Sequence, residues 1–316
     1  MANSNNGRPV DLAPRSHDMR TTVLVLGASG MLGSMLFRVL SESTSLRVFG
    51  TIRNPDARGR FAPSLRDSIF SEVNVESESS ILKVLASVRP AVVINCVGIV
   101  KQLPNSKDHL ESLIINSLLP HRLARYCTAT SARLIHFSTD CVFSGKSGSY
   151  KEDDFPDADD LYGRSKFLGE VTGSGVVTLR TSIIGHELAG SRSLIDWFLA
   201  QEGMVRGYKN AIFSGLPTVH IARITRDFII PNSRLSGLYH LSAEPISKFE
   251  LLRLVASRYR PRAQVTEDGS LVVDRSLDST RFRTAAGFSP LSWPELIQEM
   301  AETRSLGLAQ VETERS

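Results

Sequence analysis

Five short apolar runs, separated by stretches of helical spacing, constrain this 316-residue chain more than any other feature. They are "TTVLVLG" from Thr21, "LRVFGTI", "AVVINCVG" at 91–98, "ARLIHFST" at 132–139 and "GVVTLRTSI", which ends near Thr181. Between them, "MLGSMLFRVLSES", "SESSILKVLASV" and "NSLLPHRLARYCTAT" place apolar residues at helical intervals. Runs this short and continuous read as strands buried on both faces. Their alternation with helices implies right-handed crossovers and a parallel sheet covered on both sides. The expected fold class is therefore α/β, a doubly wound sheet of the nucleotide-binding kind.

Past Thr181 the alternation loosens. "LIDWFLAQ" and "KFELLRLVASRYR" read as helices and "GLYHLS" as a strand. The expected organisation is a mobile leader at 1–20, a nucleotide-binding domain at 21–181, and a smaller substrate-binding domain at 182–316. That second domain closes over the carboxyl ends of the strands, and interleaving of its segments with the sheet stays open. The last stretch, "GLAQVETERS", is expected to be loose.

No apolar run approaches the roughly 18 to 20 residues that span a bilayer, and the first twenty residues lack the apolar core of a signal peptide. The three cysteines, Cys96, Cys127 and Cys141, show no metal-ligand spacing, so no metal is expected and a reduced, cytoplasmic setting is. The net charge of +4 comes from scattered basic residues, which argues against nucleic acid and suits an anionic small molecule.

"GASGMLG" puts Gly27, Gly30 and Gly33 between the first strand and the first helix. Glycines there permit a tight turn, backbone approach to a pyrophosphate and close helix-to-sheet packing, and the helix N-terminus favours negative charge. Ser29, Met31 and Leu32 fall in the same cradle. The spacing departs from GxGxxG. At the end of the second strand the first charged side chain is Arg53, which suits the extra phosphate of NADPH, with NADH as the alternative.

"DLYGRSKFLGE" sets Tyr162 one helical turn before Lys166, on a shared face. Upstream, Ser138 and Thr139 end a buried strand at the carboxyl edge of the sheet, where doubly wound folds bind ligands. An ammonium beside a phenol favours the phenolate and lowers its pKa, which equips a tyrosine to protonate a developing alkoxide. The expected catalytic group is Thr139, Tyr162 and Lys166.

In the order "GASGMLG", "INCVG", "STD" and "YGRSK", the chain resembles the extended short-chain dehydrogenase/reductase superfamily, whose fold is Rossmann-like. By that resemblance Lys166 also binds the nicotinamide ribose, and Asn95, Cys96 and Val97 line the adenosine and ribose. Asn116 matches a helix asparagine that supports the site; bonding to backbone stands as a nearly equal reading. The resemblance also implies a homodimer formed through helices flanking the sheet.

The run from "STDCVF" through "YKEDDF" to "YGRSKFLGE", with "LRTSIIG" and "RSLDSTRF", is most similar to the dTDP-4-dehydrorhamnose reductase branch. That similarity implies NADPH-dependent reduction of the 4-keto group of a nucleotide-linked deoxysugar for polysaccharide precursor synthesis. Cys141 stands where that branch usually carries an aromatic, and Ile183 and Ile184 where another is common, so a different hexose or a UDP carrier is open. Asp140 is followed by cysteine rather than the glutamate of nucleotide-sugar dehydratases. An epimerase and a catalytically silent regulatory subunit remain as alternatives.

Val100, Cys141, Ile183, His220 and Arg275 are the expected substrate contacts, although a packing role is the plainer reading of His220. Lys209, Arg223 and Arg281 are further cationic candidates for the diphosphate. Trp197 belongs to packing, to a pocket wall or to an oligomer face.

Overall fold

Thr21–Leu26 forms β1, and its side chains alternate between two hydrophobic cores. Val23 and Val25 pack with Leu36, Phe37 and Leu40 on one face of the sheet. Leu24 and Leu26 pack with Ile81, Leu85 and Leu123 on the other. That period of two inside a wholly apolar run is what a strand buried on both faces requires. The computed structural model describes residues 19–100, 108–306 and 308. Residues 1–18 of the expected leader, and the final stretch apart from Leu308, lie outside the described residues.

The helices and strands follow in chain order. After β1 come α1 Met31–Ser41, β2 Leu46–Thr51, α2 Pro63–Arg66, β3 Ile69–Phe70, α3 Glu78–Val88 and β4 Val92–Asn95. The short helix α4 His109–Ser112 runs through a π-helical turn, Leu113–Leu118, into α5 Leu119–Ala129. Then come β5 Arg133–Thr139, α6 Leu161–Leu168 and β6 Val176–Thr181. The C-terminal third contributes β7 Ile183–Ile184, α7 Leu194–Leu199, β8 Gly203–Tyr208, β9 Ala211–Phe213, β10 Leu216–Pro217, α8 Thr218–Ile224 and β11 Gly237–His240. It ends with β12 Ile246–Ser247, α9 Lys248–Tyr259, β13 Ala263–Asp268, β14 Val273–Asp274, α10 Thr280–Ala286 and α11 Trp293–Glu302.

Seven strands make one sheet in the order β11-β6-β5-β4-β1-β2-β3, and every neighbouring pair is parallel. The fold class is the expected one, a Rossmann-like α/β sheet. Successive strands step outward from β1 in one direction through β2 and β3 and in the other from β4 onward. The crevice between the carboxyl ends of β1 and β4 is therefore the topological switch point at which such sheets bind ligands.

The C-terminal third does not stay to itself. Its strand β11 pairs with β6 at the edge of the main sheet (Leu238 beside Thr178), and α8 packs on α1. The rest builds small sheets: β8 with β13, β9 between β12 and β14, and β7 with β10. Among the described residues no helix is long and apolar enough to cross a membrane.

Candidate active site

Gly27 ends β1 with φ +80°, in the left-handed region that favours glycine. A Cβ there would lie 3.0 Å from Val97 Cγ2 and 3.3 Å from the Cys96 carbonyl carbon, so the first turn and the segment after β4 touch backbone to backbone. The Gly27 N–H donates to Thr51 Oγ1 at 3.2 Å, tying the turn to β2. At Gly33 a Cβ would collide with the Gly27 carbonyl, so helix α1 lies against the turn only because residue 33 lacks one.

Gly30 is different. Its backbone is extended, and a Cβ would meet nothing nearer than 3.5 Å, an ordinary contact. Protein packing does not demand a glycine at 30. Gly30 is the N-cap of α1, with no side-chain cap and no acidic residue in the first turn, so the first N–H groups of the helix are left to an anionic ligand. A dinucleotide pyrophosphate fits this cradle; Ser29 is exposed beside it, Met31 is half-buried and Leu32 packs into the core. Asn95 braces the opposite wall: Oδ1 accepts from Val97 N at 3.1 Å, and Nδ2 lies 3.1 Å from His136 Nδ1. Arg53 is exposed two residues beyond β2.

On the other side of the crevice, Thr139 closes β5. Its hydroxyl accepts from Cys141 N at 3.1 Å, donates to Asp140 Oδ1 at 3.1 Å and hydrogen-bonds the Tyr162 hydroxyl. Helix α6 presents Tyr162 because Asp160 caps it, accepting from Gly163 N at 2.9 Å. A side chain at Gly163 would strike the Cys141 carbonyl, and one at Gly169 would strike that of Asn116. The glycines of "YGRSKFLGE" thus seat α6 on the turn after β5 and on the π-helical turn.

Asn116, within that turn, accepts from Ile99 N at 2.9 Å and donates to Ile99 O and Ser165 Oγ at 3.1 and 3.2 Å. These bonds join the segment after β4 to α6. A π-turn at such a junction aims side chains that an unbroken helix would not.

Lys166 is buried, and its Nζ donates to the Phe137 carbonyl at 2.7 Å. Burial lowers its pKa to about 8, partly opposed by Glu170 and Cys96. Burial raises the Tyr162 pKa above the ordinary phenol value, with Cys141, Asp140 and Asp160 adding to the rise and Thr139 opposing it. The expected lowering by Lys166 is not what the structure shows. Removing a phenolate from water costs more here than its surroundings return, and the ammonium is committed to a strand carbonyl. Ser138 stands beside Thr139 at the carboxyl end of β5, as expected, and donates to Glu170 Oε1 at 2.7 Å. Glu170 holds Arg180 through two 2.8 Å bonds, a buried bidentate pair that accounts for the glutamate of "GE".

The expected substrate contacts divide. Cys141 stands in the turn directly after Thr139 and Asp140. Ile183 is half-buried on β7, paired with Leu216, and Val100 is exposed in the segment after β4. Arg275 reaches the same turn as Cys141, its Nε donating to the Phe143 carbonyl at 2.8 Å. His220 does not join this group. Its Nδ1 lies 2.9 Å from Glu299 Oε2, between α8 and α11, with its ring near Phe288; a carboxylate 79 residues away engages Nδ1, Nε2 is buried without a hydrogen-bond partner, and Arg223 pairs with the same Glu299.

Lys209 pairs with Glu267 at 2.6 Å on the surface, and Arg281 pairs with Asp153. Lys248, which sequence reasoning missed, opens α9 and lies within electrostatic range of Asp140 and Cys141. Its only signal was its place behind Ser247, in a cap-like "SKFE".

Residues 20–305 match the RmlD substrate binding domain family. The chain belongs to this family. Membership agrees with the extended short-chain dehydrogenase/reductase resemblance and its NAD(P)-dependent oxidoreductase class. The RmlD-family chain is similar to the spore coat polysaccharide biosynthesis protein SpsK of Bacillus subtilis (strain 168), 26% identical, covering 90% of this chain and 98% of SpsK. It is also similar to methionine adenosyltransferase 2 subunit beta of Xenopus laevis, 29% identical over 75% of this chain and 71% of that protein. In fold it matches the dTDP-4-dehydrorhamnose reductase of Bacillus anthracis str. Ames solved in complex with NADP, with a TM-score of 0.72, 20% identity and coverage of 90% and 99%.

Proposed function

We propose that this chain uses NADPH to reduce the 4-keto group of a nucleotide-linked deoxysugar in the synthesis of polysaccharide precursors. The observation that carries the reading is the placing of Thr139 at the carboxyl end of β5 with Tyr162 in the first turn of α6, which Gly163 seats against the Cys141 carbonyl, across the crevice from a cradle whose Gly30 the protein's own packing does not require. When bound there, NADPH supplies the hydride. Thr139 orients the carbonyl oxygen by turning its hydroxyl proton to it from Asp140 Oδ1. Tyr162, protonated because burial keeps it so, gives its proton to the alkoxide oxygen as it forms. Lys166 holds a ribose hydroxyl and places positive charge beneath the proton donor, and Arg53 pairs with the adenosine phosphate.

The name of the Bacillus anthracis structure and the polysaccharide context of SpsK support the substrate class. The likeness to a methionine adenosyltransferase subunit supports a second reading, a nucleotide-holding regulatory partner. The test is NADPH consumption by the purified chain with dTDP- and UDP-linked 4-keto-deoxysugars: turnover with either supports the reductase, and NADPH binding without turnover on any of them favours the regulatory reading.

A homodimer is part of the same proposal. Leu110, Leu113, Leu118, Phe167 and Leu168 are exposed on α4, the π-turn and α6, elements that pack together, and an apolar stripe of this kind is covered well by a second copy. Light scattering on the wild type and on Leu110→Glu checks it. A dimer that becomes a monomer in the variant is the expected result.

A further inference from the structure

Three ionisable side chains converge on the turn after Thr139. Asp140 belongs to the turn itself and is buried. Arg275 approaches along β14, its stem against Gly145 and its Nε on the Phe143 carbonyl at 2.8 Å. The Tyr150–Leu277 bridge and the 2.9 Å bond from Tyr150 N to Ser276 O fix that approach. Lys248 arrives from a third direction. Ser247 caps α9 by accepting from Glu250 N at 3.1 Å, β12 pairs with β9, β9 also pairs with β14 just before Arg275, and the Lys248 ammonium sits 4.1 Å from the centre of the Phe213 ring, within electrostatic range of Asp140 and Cys141.

The cluster thus holds two cations and one carboxylate. Neighbouring carboxylates are engaged in backbone capping: Asp160 accepts from Gly163 N at 2.9 Å and Asp274 from Ser276 N at 2.9 Å. Burial works against the Lys248 charge and brings its pKa to about 8. A long lysine stem ordinarily carries its ammonium out to water; here the ammonium lies over the Phe213 ring of β9, the strand that also pairs with β14 just before Arg275.

We infer that Lys248 is a specificity-determining residue which, with Arg275, receives an anionic group of the substrate beside the carbon that reacts at Thr139 and Tyr162. The inference rests on the nucleotide-sugar reading above and names its recognition chemistry: a phosphate or carboxylate oxygen held by an ammonium and a guanidinium. Two parts of such a substrate carry that chemistry, the diphosphate and a carboxylate on the sugar ring.

The test is calorimetric titration of the NADPH-bound protein with dTDP, UDP, UDP-glucose and UDP-glucuronate, for the wild type, Lys248→Gln, Lys248→Arg and Arg275→Gln. Loss of the Lys248 charge should weaken the anionic contact about tenfold or more. Lys248→Arg should retain most of the affinity, Arg275→Gln should act in the same direction as Lys248→Gln, and NADPH affinity should be alike in all four proteins. Equal loss for every nucleotide identifies the diphosphate; loss confined to UDP-glucuronate identifies a sugar carboxylate. If Lys248→Gln and Arg275→Gln bind each nucleotide as the wild type does, this inference fails and the proposed function stands. If the wild type binds none of them, both fail.

Discussion

Lys166 donates from Nζ to the Phe137 carbonyl at 2.7 Å, which anchors the ammonium to the strand that ends in Thr139 rather than to Tyr162 one turn earlier on its own helix. A lysine held this way can charge the floor of the crevice without first making its neighbour acidic. Tyr162 keeps its proton, as a reductase needs of its proton donor.

The pH dependence of activity follows from that arrangement. Burial depresses the Lys166 pKa from 10.5 to about 8, so its charge is present below that value and lost as pH rises through it. Because the Tyr162 pKa is raised, the phenol does not titrate in this range. The pH profile of kcat/KM should therefore fall on the alkaline side near 8. Lys248 titrates there too, so the limb that persists in Lys248→Gln belongs to Lys166. A profile that stays flat through this region, in the wild type and in the variant, contradicts the assignment.

Gly30 and Gly33 should separate ligand from packing. Gly33→Ala forces a Cβ into the Gly27 carbonyl and should cost about 1–3 kcal/mol of stability, as overpacking does. Gly30→Ala should leave the denaturation midpoint nearly unchanged while weakening NADPH. Urea melts and fluorescence titrations of both variants check the pair, and equal destabilisation by the two substitutions would count against a ligand-driven glycine at 30.

Arg53→Asp should weaken NADPH by about tenfold or more while sparing NADH, since only the former carries the phosphate that an arginine engages. Comparing the two cofactors in KM, or in Kd by fluorescence, is sufficient. Parallel losses for both would remove Arg53 as the phosphate reader.

Glu170→Ala should destabilise the protein by about 3–5 kcal/mol, because it leaves a buried guanidinium without its carboxylate. Arg180 is 2% exposed and takes both of its 2.8 Å ion-pair bonds from Glu170. A chemical denaturation midpoint close to the wild type would show that Glu152 O and His240, which also contact Arg180, replace the lost partner.

The parts legible in the sequence are those that local pattern determines. An apolar run such as "TTVLVLG" has one low-energy use in a chain of this length, a strand covered on both faces, and Tyr162 and Lys166 share a helix face by spacing alone. Other features depend on segments distant in sequence. The four residues of β11 carry no signal of which strand they join. Lys248 comes within electrostatic range of Asp140 only after the C-terminal third folds over the turn, and Glu299 comes to His220 from 79 positions away. The direction of the Tyr162 shift was read from its nearest charge, whereas the burial that decides it arises from tertiary packing around α6.

The central claim is that Tyr162 donates the proton that completes reduction. Its most direct measurement is single-turnover NADPH oxidation with an accepted nucleotide-linked 4-keto-deoxysugar, comparing wild type with Tyr162→Phe at matched cofactor saturation. The account predicts an NADPH affinity within about twofold of wild type and a rate lower by about 10²–10⁴-fold, the range typical of a lost general acid. A variant that binds NADPH and turns over at the wild-type rate contradicts it.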